Sequence, residues 1–422
     1  MKSYDGSAAI YKAWLNHLTL CGHDVSVLSF NQARTRWDGE SVEELRRQVT
    51  DLLIVDVFPN LAMAGLCKLT GAVWRVIAGR RYLPEWLAGL FRSPQRHQIA
   101  DFFKRHDFDV VVVNKVCNTD LVGSANLASM RGVRVVDIHD NDPQRSLLMR
   151  SSILKLFPRL PKMVARLVRV QELSDLLNWA GKDRMMREEI RALMLYDHVL
   201  FSSREEAATF AAAGLPLERI HVSPWPFENV VGGSGEVLPR PEGPRPYHLG
   251  MIGASGLFNM EAVLFLAEEV LPRLRRRIPD IKVLIAGGIC RQIGDLFKGD
   301  AAITLVPWFD GLDEFYGQVE VVVVPLLSGT GVSIKSLEAA WLGSAMVSTP
   351  TGVRGLELAD ERHFLQADDA DQFADMVARL LGDDDLRRNM RASAAREIRV
   401  RHSSAAFASA MAPLFCDDRG QG

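Results

Sequence analysis

The chain has 422 residues, 48% hydrophobic and 24% charged, with a net charge of −2. That length suits about two to three domains. The near-neutral balance excludes a general polyanion binder, so no nucleic-acid partner is expected. The five cysteines, Cys21, Cys67, Cys117, Cys290 and Cys416, show no C-x-x-C spacing. They fit reduced, buried thiols in a cytoplasmic protein. No signal peptide opens the sequence. The best candidate for a membrane span, 61–78, carries Lys68 and Arg75.

The first thirty residues read as loop, helix, Gly22 and a strand at 25–30. Apolar, β-branched runs at 51–58, 109–114, 134–138 and 198–201 predict further strands. Helical patterns separate them, as βαβ units require. His139 follows the 134–138 strand, and a histidine there faces the ligand crevice of an open α/β sheet. A locally hydrogen-bonded loop histidine is the competing reading. Asp140 and Asp142 spell D-x-D, which reads as a turn and not as a metal pair.

Between Pro143 and Gln171 there is no Asp or Glu. Arg145, Arg150, Lys155, Arg159, Lys162, Arg166 and Arg169 are all basic. From Lys155 on, the spacing of four, three, four, three marks one helical face. Met163, Val164, Leu167 and Val168 lie between, while Pro158 and Pro161 break the stretch in two. Such a segment suits an anionic membrane surface. A solvated helix paired with Glu188 and Glu189 is the alternative.

Residues 230–246 are rich in Gly and Pro and lack periodicity, which marks a linker. A second series of strands follows at 248–252, 282–286 and 303–306. Gly253-Ala254-Ser255-Gly256 follows the first of these, and Pro307-Trp308 the third. Val321 to Val324 then form a strand apolar on both faces, bounded by Pro325. Ser328-Gly329-Thr330-Gly331 permits a tight turn. Ser333 fits an N-cap, the helix runs to Leu342, and Gly343 suits the C′ position. Another strand, 345–348, ends at Thr349-Pro350. Charged and apolar helical patterns close the chain, the last near 404–414.

Strand, Gly-rich loop, helix and strand in that order put a helix N-terminus at the carboxyl edge of a parallel sheet, where anions bind. Lys335 in the first helical turn opposes the dipole unless an anion sits beside it. Glu338 shares its face and can accept hydrogen bonds from ribose hydroxyls. The pair suits a nucleotide; an ordinary surface Lys–Glu pair is the competing reading.

The run G-T-G-V-S-I-K-S-L-E-A-A-W-L-G-S-A-M-V-S-T-P-T-G-V-R-G-L closely resembles the donor-site motif of group-one retaining nucleotide-sugar glycosyltransferases. The resemblance is strong over 247–356 and looser before it. It implies an α/β GT-B architecture: two Rossmann-like, doubly wound domains facing a cleft. The expected division is 1–229, linker 230–246, 247–402, and a helix at 403–422 returning to the first domain. By resemblance Glu338 binds the donor ribose. A second family glutamate falls at Thr330, so the pair is incomplete. Gly6, Gly253, Ser255, Gly256, Thr330, Gly331, Val332, Ser333 and Lys335 line the donor site, and Trp308 cradles the base. His139 approaches the donor sugar as the catalytic residue.

No Arg or Lys occurs between Gly250 and Arg273, so Lys335 and the helix end carry the diphosphate charge. No metal and no cofactor are implied; the nucleotide sugar is a substrate. The acceptor is expected to be a glycan or lipid-linked hydroxyl, as in envelope polysaccharide assembly. The site is expected to be cytoplasmic, with peripheral attachment to the inner membrane face. The family's first strand is missing before Asp5-Gly6-Ser7, so an apolar strand is expected upstream of Met1. A sugar-nucleotide epimerase or hydrolase, or a nucleotide-sugar-binding protein without turnover, are the alternatives.

Overall fold

The computed structural model describes residues 6–31, 38–58, 61–78, 85–158, 181–227 and 244–415. The chain divides into two compact units. The first comprises Met1–Pro143, Val170–Val230 and Ser404–Gly422, and the second Gln144–Arg169 and Val231–Ser403.

In the first unit the strands are β1 (Ser26–Asn31), β2 (Asp51–Asp56), β3 (Val110–Asn114), β4 (Val133–Ile138), β5 (His198–Phe201) and β6 (Ile220–Val222). All pairings are parallel, and among the described residues they form two sheets, β1-β2 and β3-β4-β5-β6. Phe30 of β1 packs against the core cluster of Val113, Val136 and Phe201. A doubly wound sheet places its first strand between its second and fourth, which here is between β1 and β3. The described residues supply no strand at that position.

Gly6 and Ser7, expected in a loop, open the helix Gly6–Leu20 instead. Asp5 lies outside the described residues. The helix Ser404–Phe415 buries Phe407, Met411 and Leu414 against Trp14, Val135 and Leu200, so it belongs to this unit.

The second unit has β7 (Tyr247–Ile252), β8 (Val283–Ala286), β9 (Ile303–Val306), β10 (Val319–Val324), β11 (Ala345–Ser348) and β12 (Leu365–Gln366). They form one parallel sheet in the order β12-β11-β10-β7-β8-β9. Numbered within the unit, this is the doubly wound order 3-2-1-4-5-6. The reversal falls between β7 and β10. At Gly250 of β7 a Cβ would lie 2.5 Å from Val319 Cγ1, so the close pairing at the switch needs glycine.

The stretch 144–169 clusters with the second unit, not with the first domain as the sequence division has it. Ser152 Oγ and Lys155 Nζ donate to the two carboxylate oxygens of Glu261 at 3.2 and 3.3 Å. The Arg145 guanidinium lies 5.6 Å from the Phe258 ring. Two basic residues of the segment, Arg145 and Lys155, are thus engaged by protein groups. Lys162, Arg166 and Arg169 lie outside the described residues, as does 230–243 of the expected linker. Cys21 and Cys117 are exposed while Cys67 and Cys290 are buried, which corrects the expectation of buried thiols throughout. Among the described residues no helix is long and apolar enough to cross a membrane.

Candidate functional site

The switch point of the second unit gathers the carboxyl ends of β7 and β10. After β10 the chain turns through Gly331, whose φ of +70° lies in the left-handed region that glycine tolerates. Ser333 caps the helix Ile334–Trp341 by backbone position alone; its side chain makes no cap hydrogen bond. The loop is held from behind. Arg354 donates to the Gly329 and Gly331 carbonyls at 2.6 and 3.0 Å. Ser336 Oγ donates to Gly352 O at 2.5 Å, and Thr349 Oγ1 to Leu326 O at 2.5 Å. A Cβ at Gly352 would lie 2.6 Å from Val324 O, so this packing also depends on a glycine.

Glu338 is 8% exposed and accepts from the Tyr316 hydroxyl at 2.9 Å. Burial pushes its carboxyl up to about 7, against the opposing pull of Tyr316 and Lys335. Tyr316, 1% exposed, also reaches Lys335 O at 3.2 Å. Burial and the neighbouring carboxylate raise its phenol well above the usual value. Lys335 Nζ donates to Asn259 Oδ1 at 2.8 Å. Burial brings its ammonium down to about 8, and Glu338 opposes that shift. Asn259 Nδ2 donates to Ala254 O at 2.8 Å, so one amide links Lys335 to the loop after β7. In that loop Gly253 packs on Asn259, and Ser255 Oγ donates to Gly288 O at 2.9 Å.

The structure therefore brings together Gly253, Lys335 and Glu338 from the sequence expectation. Val332 is buried in the loop, and Thr330 and Gly331 lie in it. Gly256 precedes the helix Leu257–Leu264 in extended backbone with φ 169°. Trp308, expected to cradle the base, is 57% exposed. Tyr316, Asn259 and Arg354 were not read from the sequence. Each acts on a partner 22 or more residues away, so no local period marks it.

His139 lies in the first unit, just past β4, and is 5% exposed. Neither ring nitrogen has a hydrogen-bond partner among the described residues, which removes the locally bonded loop alternative. Nε2 faces Asp137 Oδ2 at 3.6 Å, and that same oxygen accepts from Trp14 Nε1 at 2.8 Å. The rings of Tyr11 and Trp225 flank the imidazole at 5.5 and 6.2 Å. Among the described residues no group of three or more His, Cys, Asp or Glu could hold a metal ion.

Residues 246–383 match the family model described as glycosyl transferases group 1. No curated protein matches the chain in sequence. Among solved structures, HepE (Alr3699) of Anabaena in complex with UDP and glucose aligns with a TM-score of 0.61 at 12% identity, covering 98% of this chain and 97% of its own. A glycosyltransferase of Rickettsia africae aligns with a TM-score of 0.59 at 10% identity, covering 99% and 95%. The sucrose-phosphate synthase of Thermosynechococcus elongatus gives 0.55 at 14% identity, covering 92% and 98%. These likenesses show the fold, which is GT-B with two Rossmann-like α/β units.

Proposed function

We propose that the protein is a glycosyltransferase of the group 1 type. It moves a sugar from a nucleoside-diphosphate sugar to an acceptor hydroxyl, with retention and without a metal. The observation that carries the reading is the half-buried Lys335 and the buried Glu338 on one helix at the switch point, tied by Asn259 and Tyr316. A Lys335 ammonium near neutrality is incompletely compensated until an anion arrives. A diphosphate beside it restores the charged form. Glu338, as carboxylate, accepts from two ribose hydroxyls. As the glycosidic bond to the diphosphate breaks, negative charge grows on the leaving oxygen. Lys335 and the first turn of the Ile334–Trp341 helix are placed to stabilise it. The family match over 246–383 supports this reading, and HepE, a protein of the same fold, was solved with UDP and glucose.

His139 is the proposed catalytic residue toward the donor sugar: a buried imidazole whose nitrogens make no hydrogen bond among the described residues, with Asp137 Oδ2 3.6 Å from Nε2. The acceptor is proposed to be a glycan or lipid-linked hydroxyl of envelope-polysaccharide type. Thermal shift with UDP, GDP, ADP and TDP tests the donor site, and one diphosphate should raise the melting temperature well above the others. Release of nucleoside diphosphate from the donor only when acceptor is present separates transfer from hydrolysis. Binding without any release would make the chain a nucleotide-sugar-binding protein instead.

A further inference from the structure

The proposed function gives Asp137 no role, yet it is a buried carboxylate in an apolar layer. It is the last residue but one of β4, and strand alternation puts it in line with Val133 and Val135. Those two pack with Trp14, Phe407, Met411 and Leu414. Asp137, 5% exposed, continues that layer as an acid. An apolar residue would fill the place without taking a polar group out of water. Among the described residues its side chain accepts one hydrogen bond, from Trp14 Nε1 to Oδ2 at 2.8 Å. A neutral indole donor uses one of about four lone-pair sites on a carboxylate. Packing between β4 and the helix Gly6–Leu20 is therefore a weak reason for an acid here.

The oxygen that Trp14 holds has a second neighbour, His139 Nε2 at 3.6 Å. We propose that Asp137, anchored by Trp14, is a positioning residue for His139. It keeps the proton of the neutral imidazole on Nε2 and leaves the Nδ1 lone pair to accept from a sugar hydroxyl. A carboxylate oxygen only accepts, so the ring nitrogen that faces it is the one that carries hydrogen. At 3.6 Å the pair stands just outside hydrogen-bond distance, and contacts of this kind tighten when a ligand seats the ring. Nδ1 makes no hydrogen bond among the described residues. The rings of Tyr11 and Trp225 flank the imidazole, which limits its rotation. The inference rests on the proposed contact between His139 and the donor sugar, and it gives that contact a direction: the histidine accepts and the sugar donates.

Long-range proton–nitrogen correlation spectra of the full chain with isotope-labelled histidine, assigned through His139→Gln, read the tautomer without any need for activity. In the wild type the neutral His139 ring should show one fixed form with the proton on Nε2. Asp137→Leu should move both nitrogen signals toward the averaged values of an exchanging ring. Asp137→Asn keeps an oxygen for Trp14 and for Nε2, so it should keep the fixed form and the melting temperature. Calorimetry gives the second readout, with whichever of UDP, GDP, ADP and TDP binds, and with its glucose ester. Asp137→Leu should weaken the ester by roughly three- to tenfold, the scale of one lost hydrogen bond, and leave the free diphosphate unchanged. In the His139→Gln background it should add nothing, because the two residues act as one unit. Three outcomes overturn the proposal: a wild-type ring with its proton on Nδ1, nitrogen signals that Asp137→Leu leaves in place, or equal losses for diphosphate and ester. A chain that binds no nucleotide at all would defeat the proposed function instead, while the spectra would still decide the contact with Asp137.

Discussion

Each unit has six described strands, and all are parallel, yet the two units arrange them differently. In the second unit β7 through β12 form one sheet, and five of the six β10 residues are at most 1% exposed. Among the described residues of the first unit the pairing stops between β1 and β3, and every residue of β1 is half-buried. The second unit joins its strands across the switch point and builds Lys335, Glu338, Tyr316 and Asn259 there. The first presents His139 just past β4, in a unit whose described strands are not joined at the equivalent place. A ligand site at a switch point is as rigid as the two strands that flank it, so the proposed donor side is held by β7 and β10.

The sharpest test of that preorganised side is Glu338→Ala. A charge-assisted hydrogen-bond pair to ribose contributes about 1.5–3 kcal/mol. Donor affinity by calorimetry should therefore fall by about one to two orders of magnitude, with the first unit unaffected. Unchanged affinity would remove Glu338 from the site. Lys335→Ala should come next. It should weaken the nucleoside diphosphate far more than the nucleoside, because the loop after β7 has no basic residue. Equal losses for both ligands would mean that the diphosphate charge is met elsewhere.

The same pair predicts a pH window. Glu338 must be ionised to accept from ribose, and its carboxyl is raised to about 7. Lys335 must be protonated to meet the diphosphate, and its ammonium is lowered to about 8. Donor affinity should be greatest between these values and fall on both sides. The free protein shows opposite signs. Glu338 has a raised folded value, so its stability contribution is present at low pH and lost as pH rises through about 7. Lys335 has a depressed folded value, so its contribution is present at high pH and lost as pH falls through about 8. Tyr316→Phe removes the hydrogen bond that holds Glu338 down. The acid limb of the affinity profile should then move to higher pH, and the alkaline limb should stay. A variant that loses affinity equally at every pH would show that Tyr316 only supports packing.

Much of this contrast was legible in the sequence. The strands at 198–201, 303–306 and 345–348 are observed with those bounds, because each is a short apolar run between polar breaks. The Gly-rich loop, Ser333 at the helix start and Gly343 at φ +63° follow from local turn chemistry. Lys335 and Glu338 were readable because both lie on one helix. Tyr316, Asn259, Arg354 and the Trp14–Asp137 contact were not, since tertiary folding alone brings them together. The assignment of 144–169 failed for a similar reason. A basic face was visible, but its partner Glu261 lies more than a hundred residues away.

The smallest effect expected is on backbone protection, and it bears directly on the split sheet. Amide exchange measures local opening, and strands that lack a neighbour open more easily than the whole unit unfolds. β1 pairs only with β2 among the described residues, through six residue pairs from Ser26↔Asp51 to Asn31↔Asp56. β10 is flanked on both sides, by β7 and β11, and its interior is buried. Amides of β1 and β2 should therefore exchange faster than those of β10 and β11, and a bound nucleoside diphosphate should slow exchange in the loop at 328–333 while leaving β1 unchanged. Equal protection of β1 and β10 would show that the edge of β1 facing β3 is covered in solution. The first unit would then be one sheet after all, and the difference between the two units would lie in the site residues alone.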